Sequence, residues 1–431
     1  MMVGMSGAQT ASATNAVVSE PPEQRRTLAT LVLAQVLSGA GLAAGVTVGA
    51  LLAEELLGSS RLSGLPTALF AIGSASAAAG VGQLSQRFGR RAGLSAGYLL
   101  GAAGSFAVVA AARLDSLVLL FLSLFVYGGG VATNLQARYA GADLAAPSRR
   151  GRAVSTVLVA TTVGAVVGPN LVGLMGTLAE NLGIPPLAGP FLLAGVAYGA
   201  AGLVLWVMLR PDPLQLARRI AAAATHETIG SPKMGPPKNK PPRRGWSPAV
   251  ASGAGILILT QLVMVAIMTM TPIHIQQHGH HVAATGAVIS AHVAAMFLPS
   301  PLTGWLVDRY GRLTMAVASA VTLLTAGLLA AWAPPASVMI LALALVLLGL
   351  GWNFGLVSGS ALITDAVPLE SRAGTQGLVD LGVAIAAAGG GISSGLILSA
   401  TSYPTLTILG GLLALLVIPA AAISRARPET A

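Results

Sequence analysis

The chain is dominated by long apolar runs that contain no acidic or basic residue. Six such runs, of 21 to 29 residues each, occupy its first half. Roughly 20 apolar residues in a helix cross the hydrocarbon core of a bilayer, and a helix pairs its own backbone polar groups in lipid. Each run therefore predicts one membrane-spanning α-helix. The runs are 27–53, 62–86, 92–112, 116–137, 153–179 and 181–209.

Three longer apolar blocks follow, and a polar or proline-containing segment divides each of them. Each block is long enough for two spans, which brings the total to twelve. The sequence thus predicts an all-α membrane protein with twelve transmembrane helices. The blocks run from Arg244 to Asp308, from Arg312 to Asp365 and from Arg372 to Arg425, and they are divided at 274–281, 334–335 and 401–404.

Basic residues predict the orientation of these helices. If the N-terminus is inside, 21 of the 24 Lys and Arg residues lie in inner segments. The positive-inside rule then places both termini in the cytoplasm, as in a multi-pass protein of the cell (inner) membrane. Residues 1–26 are polar and end on Arg25 and Arg26 directly before the first run. A cleavable signal peptide has the opposite order, with its basic residues first.

The net charge of +10 is explained by these inner loops, which lie beside anionic lipid, and not by nucleic acid. The expected partners are therefore the lipid bilayer and a small-molecule substrate, and we expect a monomer. The sequence has no cysteine and only 9% charged residues. It shows neither a nucleotide-binding loop of the Walker type nor a nucleophilic triad. We therefore expect no enzyme activity and no cofactor.

The Pro- and Lys/Arg-rich segment 210–246 predicts a flexible cytoplasmic linker. It separates two six-helix bundles, 27–209 and 247–424, and we expect a disordered N-terminus (1–26) and a short cytoplasmic tail (425–431).

The two halves repeat with a constant offset of 222 residues. This is typical of transporters built from two halves around a pseudo-two-fold axis. The matching positions are Gly82 and Gly304, Arg87 and Arg309, Gly89 and Gly311, Arg90 and Arg312, Asp143 and Asp365, Arg150 and Arg372, and Gly173 and Gly395.

Two loop segments and one helix segment resemble those of the major facilitator superfamily. Residues 304–312 (GWLVDRYGR) resemble its loop motif, and 82–91 (GQLSQRFGRR) are the first-half copy. Residues 164–173 (GAVVGPNLVG) are similar to the Gly-Pro motif of its drug–proton antiporters. Gln86 stands where the family usually has Asp, and Val172 replaces a glycine. The resemblance implies alternating access driven by a proton gradient, with export of the substrate.

Charged residues of the loop motif predict a cytoplasmic gate. Arg90 is expected to pair with Asp143, and Arg312 with Asp365, in a way that closes the inner side. Asp308 is expected to face the positive N-terminus of the fifth helix. Gln86 cannot supply that charge, so the two halves of the gate should be unequal. Topological anchoring at the interface is the alternative role. The other predicted gating residues are Gly82, Arg87, Gly89, Arg309, Gly311, Gly168 and Pro169.

Asp380 and Arg138 are charged residues inside predicted spans, and the repeat pairs them with Leu158 and Ser360. Placing a charged side chain within a membrane costs free energy, and residues found there typically have a function. We therefore predict that Asp380 is the proton-titrating group, paired with Arg138. A static ion pair or a bond from Asp380 to the backbone is the alternative.

The resemblance also implies that the first, fourth, seventh and tenth helices line a central cavity. Polar residues on these helices are then candidate substrate ligands, or they join helices by hydrogen bonds. They are Gln35, Ser38, Asn134, Arg138, Gln261, Trp352, Asn353 and Ser358.

Histidines cluster around the predicted turn between the seventh and eighth helices. Three interpretations stay open: a metal site, a pH-sensitive outer gate and a plain polar turn. The residues are His274, His278, His280 and His281.

Together these patterns predict proton-coupled export of a small amphipathic compound. The alternatives are proton-coupled uptake of a small organic solute and transport of a divalent metal through the histidine cluster.

Overall fold

The computed structural model describes residues 20–47, 52, 64–229, 246–278, 282–334 and 337–423. Within these ranges all regular secondary structure is helical. The predicted all-α architecture is therefore confirmed.

Helices α1 to α8 belong to the first half and the start of the linker. Gly89 separates α2 from α3 with a φ of 95°, a conformation that glycine adopts without strain. The helices are α1 Glu23–Thr47, α2 Gly64–Phe88, α3 Arg90–Arg113, α4 Leu117–Ala142, α5 Arg150–Asn170, α6 Val172–Asn181, α7 Gly189–Met208 and α8 Pro213–Ile229.

Helices α9 to α16 form the second half. Gly311 separates α11 from α12 with a φ of 94°. The equivalent glycines of the two halves therefore have the same backbone conformation. The helices are α9 Pro248–Gln277, α10 Val282–Phe297, α11 Ser300–Tyr310, α12 Arg312–Ala331, α13 Val338–Ala366, α14 Arg372–Ala400, α15 Tyr403–Ala414 and α16 Val417–Ala422.

Ten segments of the described chain are long and apolar enough to cross a membrane. They coincide with all the predicted spans except the first and the fifth. Those two spans contain α1, described as far as Thr47, and the pair α5 and α6, which is interrupted at Leu171.

The halves meet along two equivalent helix pairs, α2 with α14 and α5 with α11. A Cβ atom on Gly82 would lie 2.6 Å from the Cα of Gly377, and one on Gly304 would lie 2.5 Å from the Oγ of Ser155. Glycine therefore allows both close approaches. The offset of 222 relates the two contacts, so the interface itself follows the pseudo-two-fold symmetry.

The linker is more ordered than the sequence predicts. Its first part forms α8, whose start is capped by Asp212: the Oδ1 atom accepts a hydrogen bond of 3.0 Å from the Gln215 backbone N–H. Such a cap compensates a free N–H of the first turn. Part of the segment 1–26, predicted to be disordered, is helical: α1 begins at Glu23, and the buried Gln24 donates to the Gly141 carbonyl at 2.8 Å.

Candidate functional site

A buried ion pair joins the two halves within the helix bundle. The Nη2 atom of Arg138 on α4 lies 2.7 Å from the Oδ1 atom of Asp380 on α14. Asp380 is eight residues from the start of α14, which corresponds to a depth of about 12 Å along the helix. The structure thus brings together the two membrane charges that the sequence paired.

Arg138 uses all five of its N–H donors on protein groups. The Nε atom donates to Ser360 at 2.8 Å, and an Nη2 hydrogen bonds the Tyr139 hydroxyl at 2.9 Å. The other donors reach Asp380 twice and the Leu135 carbonyl. Ser360 is the repeat counterpart of Arg138, and equivalent positions meet only near a two-fold axis. The ion pair therefore lies beside the pseudo-two-fold axis, and a ligand of Arg138 has to displace one of these bonds.

The predicted cavity residues of the first half bind one another in this conformation. Gln35 donates to Thr161 at 2.9 Å and accepts from the Tyr98 hydroxyl at 2.5 Å. Asn134 donates to Ser38 at 2.9 Å. All five side chains are buried. These residues therefore join helices α1, α3, α4 and α5 here, which is the alternative role named for them above.

The second half divides its polar residues between two roles. The Trp352 indole N–H donates to Gln261 at 2.7 Å, and Gln261 is only partly buried. Asn353 instead bonds Ser300 and Thr303 of the neighbouring helix at 2.7 and 2.5 Å. The Ser358 hydroxyl donates to the Phe354 carbonyl of its own helix. Of these four, only Gln261 is partly exposed, and Trp352 beside it is buried in this conformation.

The two halves also meet at the end of the bundle where the linker begins, which we call the linker face (86–91, 143–152, 210–224, 308–312 and 365–374). Here Asp308 accepts hydrogen bonds of 2.9 and 3.0 Å from the Gly151 and Arg152 backbone N–H groups, at the start of α5. This is the predicted contact between a carboxylate and a helix N-terminus.

Gln86 makes the equivalent contact in the other half. Its side-chain oxygen accepts from the Ala373 and Gly374 N–H groups, at 2.9 and 3.2 Å, at the start of α14. The hydrogen-bonded positions of the two halves are related by the offset of 222 residues, but only Asp308 carries a charge. The two contacts are therefore geometrically alike and electrostatically unequal.

The predicted ion pairs of the loop motif are present, but each lies within one half. Arg90 contacts Asp143 at 2.8 Å, and Arg312 contacts Asp365 at 2.9 Å. Each pair therefore acts on the contact between the halves only through the other bonds of its residues, and its gating role stays a prediction.

Other bonds of the same residues cross between the halves. Arg150 reaches Asp365 at 2.6 Å, and its counterpart Arg372 lies 3.9 Å from Asp143. Arg90 also donates to Gln376 at 2.5 Å. The sequence marked Arg150 and Arg372 as repeated positions, and that repetition was the available signal for their role.

The remaining predicted gating residues take part in no ion pair among the described residues. Arg87 and Arg309 are exposed, and Arg87 lies over the Phe88 ring at 5.0 Å. Gly168 and Pro169 lie at the end of α5, which stops at Asn170.

Arg218 on α8 makes contacts that the sequence did not predict. Its guanidinium group donates to the Gln86 carbonyl of the first half at 3.2 and 3.3 Å. It also donates twice to the Leu369 carbonyl of the second half, at 3.1 Å. One linker residue therefore bridges both halves. Its position in a basic segment gave no signal that distinguished it from Arg219.

The described part of the histidine cluster is an aromatic stack. The His274 ring stacks on Tyr403 at 4.0 Å and lies 4.4 Å from the His278 ring. Both histidines line a cavity of about 850 Å³ at the end opposite the linker face. No group of three metal-ligating side chains occurs among the described residues, and His280 and His281 lie outside them. Metal binding stays a prediction.

The chain is similar to known proteins in sequence and in fold. The sequence model described as Major Facilitator Superfamily matches residues 31–296 and 253–431. The chain is 52% identical over 423 residues to the MFS-type transporter YdeG of Bacillus subtilis (strain 168), and the alignment covers 97% of both proteins. It is 30% identical over 419 residues to the riboflavin transporter RfnT of Brucella anthropi, covering 94% of this chain and 97% of that protein.

A solved structure shares the fold. The human organic anion transporter MFSD10 has a TM-score of 0.73 at 15% identity, covering 93% of this chain and 100% of that one. With the family match over most of the sequence and the two-bundle architecture, this chain belongs to the Major Facilitator Superfamily of membrane transporters.

Proposed function

We propose that the protein is a proton-coupled secondary transporter that exports a small amphipathic compound by alternating access. The observation that carries this proposal is the buried ion pair of Arg138 with Asp380 between the halves. A buried pair responds strongly when one partner loses its charge, because the other charge is then left uncompensated in a low-dielectric environment. Protonation of Asp380 is such a loss.

Proton binding then has a mechanical consequence. While Asp380 is ionised, it holds α14 to Arg138 on α4 and favours a closed linker face. Protonation weakens this link and lets the linker face open, and export then requires that the substrate binds from the cytoplasmic side only as Asp380 releases its proton. Opening of the linker face further requires that the Asp308, Gln86 and Arg218 contacts break. Since the linker face is the predicted cytoplasmic side, we assign this conformation to the outward-facing state.

We infer the substrate class from the side chains of the site and from the substrate named for one relative. Trp352 is buried in this conformation, and its bond to Gln261 places an aromatic ring beside a partly exposed amide, a combination that suits a ligand with an apolar and a polar part. RfnT transports riboflavin, a compound with a planar ring system and a polar chain. Riboflavin is therefore the first compound to test. Export as the direction is supported by the resemblance of 164–173, and uptake is the alternative.

The test is flux in proteoliposomes with an imposed pH gradient. The compounds are riboflavin, cationic dyes, small organic acids and divalent metals, the last of which test the metal alternative. We expect gradient-driven flux of at least one amphipathic compound, and its direction relative to the proton gradient separates export from uptake.

Asp380→Asn is expected to lose the pH dependence of this flux. Glu180→Gln, which removes an exposed acid outside the ion pair, is the matched control and should retain it. Equal pH dependence of the Asp380→Asn and wild-type proteins would reject a coupling role for Asp380.

A further inference from the structure

A basic pocket lies on the linker face, away from the ion pair between the halves. It has a volume of about 230 Å³, and its lining combines the α2–α3 turn, the end of α7 and the first turns of α8. Three of its lining residues are arginines: Arg91, Arg210 and Arg219. None of the functions assigned above uses this pocket.

The three arginines of the pocket outnumber its one carboxylate, Asp212. Among the described residues, none of them takes part in an ion pair. By contrast, Arg90, Arg150 and Arg312 on the same face each contact a carboxylate. The difference marks the pocket as a place where an anion from outside the chain is favoured.

The single acid of the pocket is engaged by backbone groups. Asp212 accepts hydrogen bonds from the Arg91 N–H at 2.7 Å and from the Gln215 N–H at 3.0 Å. Its carboxylate therefore caps the start of α8 and holds this helix against α3. It shapes the pocket while three guanidinium groups remain for a ligand.

The surroundings of the pocket distinguish a lipid from a free anion. The Arg91 guanidinium lies over the Trp206 ring at 4.8 Å. Trp206, Val207 and Leu203 on α7 are 46%, 62% and 57% exposed, and Phe88 at the pocket itself is 51% exposed. Tryptophan beside exposed aliphatic residues is typical of the membrane–water interface. A head group held by the arginines thus has an apolar helix surface beside it for its acyl chains.

We propose that this pocket binds the phosphate-bearing head group of an anionic phospholipid, with the acyl chains lying along α7. Arg91, Arg210 and Arg219 hold the phosphate, and basic side chains near a membrane surface each contribute favourably to such binding. Because Arg218 is adjacent to Arg219 on α8, the bound lipid also stabilises the helix that bridges the two halves.

The test compares lipid binding by two double variants of the full-length protein. Arg210→Gln/Arg219→Gln removes two charges from the pocket, whereas Arg25→Gln/Arg26→Gln removes two exposed charges elsewhere on the same face. The delipidated proteins are titrated in detergent with phosphatidylglycerol, phosphatidylcholine or inorganic phosphate. Native mass spectrometry counts the lipids retained, and gel filtration confirms that each variant is folded.

We expect the wild type and the Arg25/Arg26 variant to retain one phosphatidylglycerol that the Arg210/Arg219 variant binds about tenfold more weakly. Phosphatidylcholine should not be retained. Equal weakening in both variants would show that only net charge matters and would overturn the proposal. Displacement of phosphatidylglycerol by millimolar inorganic phosphate would instead assign the pocket to a free anion. The proposal would also be overturned if the wild-type protein retained no phosphatidylglycerol.

Discussion

At the scale of single residues, Asp308 and Gln86 make contacts of the same geometry but of different strength. Both accept two backbone hydrogen bonds at a helix N-terminus of the opposite half. Only Asp308 adds a negative charge, which the helix dipole favours by about 0.3–1 kcal/mol and by about 2 kcal/mol where the site is partly buried. The contact between α11 and α5 is therefore the stronger of the two.

Asp308→Asn should weaken this contact and impair transport while the protein remains folded and inserted. The variant loses the charge and one acceptor, and we expect the population with an open linker face to rise about fivefold, as about 1 kcal/mol implies. Spin labels on Ser148→Cys and Glu370→Cys, exposed positions on the two halves, report the distance between them. Since the natural chain has no cysteine, only these sites are labelled. An unchanged distance distribution together with full transport would contradict this role.

At the scale of helices, close packing and one bridging arginine hold the linker face together. The contact of α2 with α14 depends on Gly82, where a Cβ atom would meet the backbone of Gly377. Gly80 is on the same helix, and a Cβ atom there would meet nothing within 4 Å. The two glycines are thus a natural pair for separating packing from helix propensity.

Gly82→Ala should disfavour the closed linker face, because the helices must move apart to admit the methyl group. Gly80→Ala should leave the equilibrium unchanged, since it gains only helix propensity. The same spin-label pair measures both variants. An effect of equal size in the two would show that the close approach at Gly82 is not limiting.

Arg218→Ala should loosen α8 and open the linker face, with a shift of about tenfold in the population, since each charged hydrogen bond contributes about 1.5–3 kcal/mol before solvent exposure reduces it. Arg218→Lys should rescue it poorly, because an ammonium group lacks the planar fork that reaches both carbonyls. Hydrogen–deuterium exchange of 213–224 reports the docking of α8. Unchanged protection in Arg218→Ala would argue against the bridge, and Arg26→Ala is the control for lost charge.

At the scale of the whole molecule, the halves form two bundles related by a repeat, with the described ends of α1 and α8 on the same face. Gln24 contacts Gly141, and Arg218 contacts Leu369. The distribution of basic residues further predicts that this face is cytoplasmic.

Topology labelling should confirm this arrangement in intact cells. A cysteine at Arg25 or Ala223 should react with an impermeant reagent only after the membrane is opened, whereas one at Asp115 should react from outside. All three positions are exposed. Reaction of Arg25→Cys and Ala223→Cys from opposite sides would contradict both the orientation and the two-bundle arrangement.

The sequence by itself determined the helical membrane architecture, the repeat and the residues that form the ion pairs of each half. Hydropathy along a chain records the cost of transfer into lipid, which is a local property. A repeat of the sequence implies a repeat of the contacts, so Arg90 with Asp143 predicted Arg312 with Asp365. The pairing of Arg138 with Asp380 followed from the cost of leaving either charge alone in the membrane.

Only the tertiary structure decided which polar groups face each other across helices. The sequence is equally consistent with a cavity role and a packing role for Gln35, Ser38 and Asn134. Their hydrogen bonds with one another, Tyr98 and Thr161 show that they pack helices together in this conformation. Arg218 and Arg219 are neighbours of identical chemistry, yet one bridges the halves and the other lines a pocket. Such differences depend on how helices are rotated and how closely they approach, and composition and periodicity do not encode either quantity.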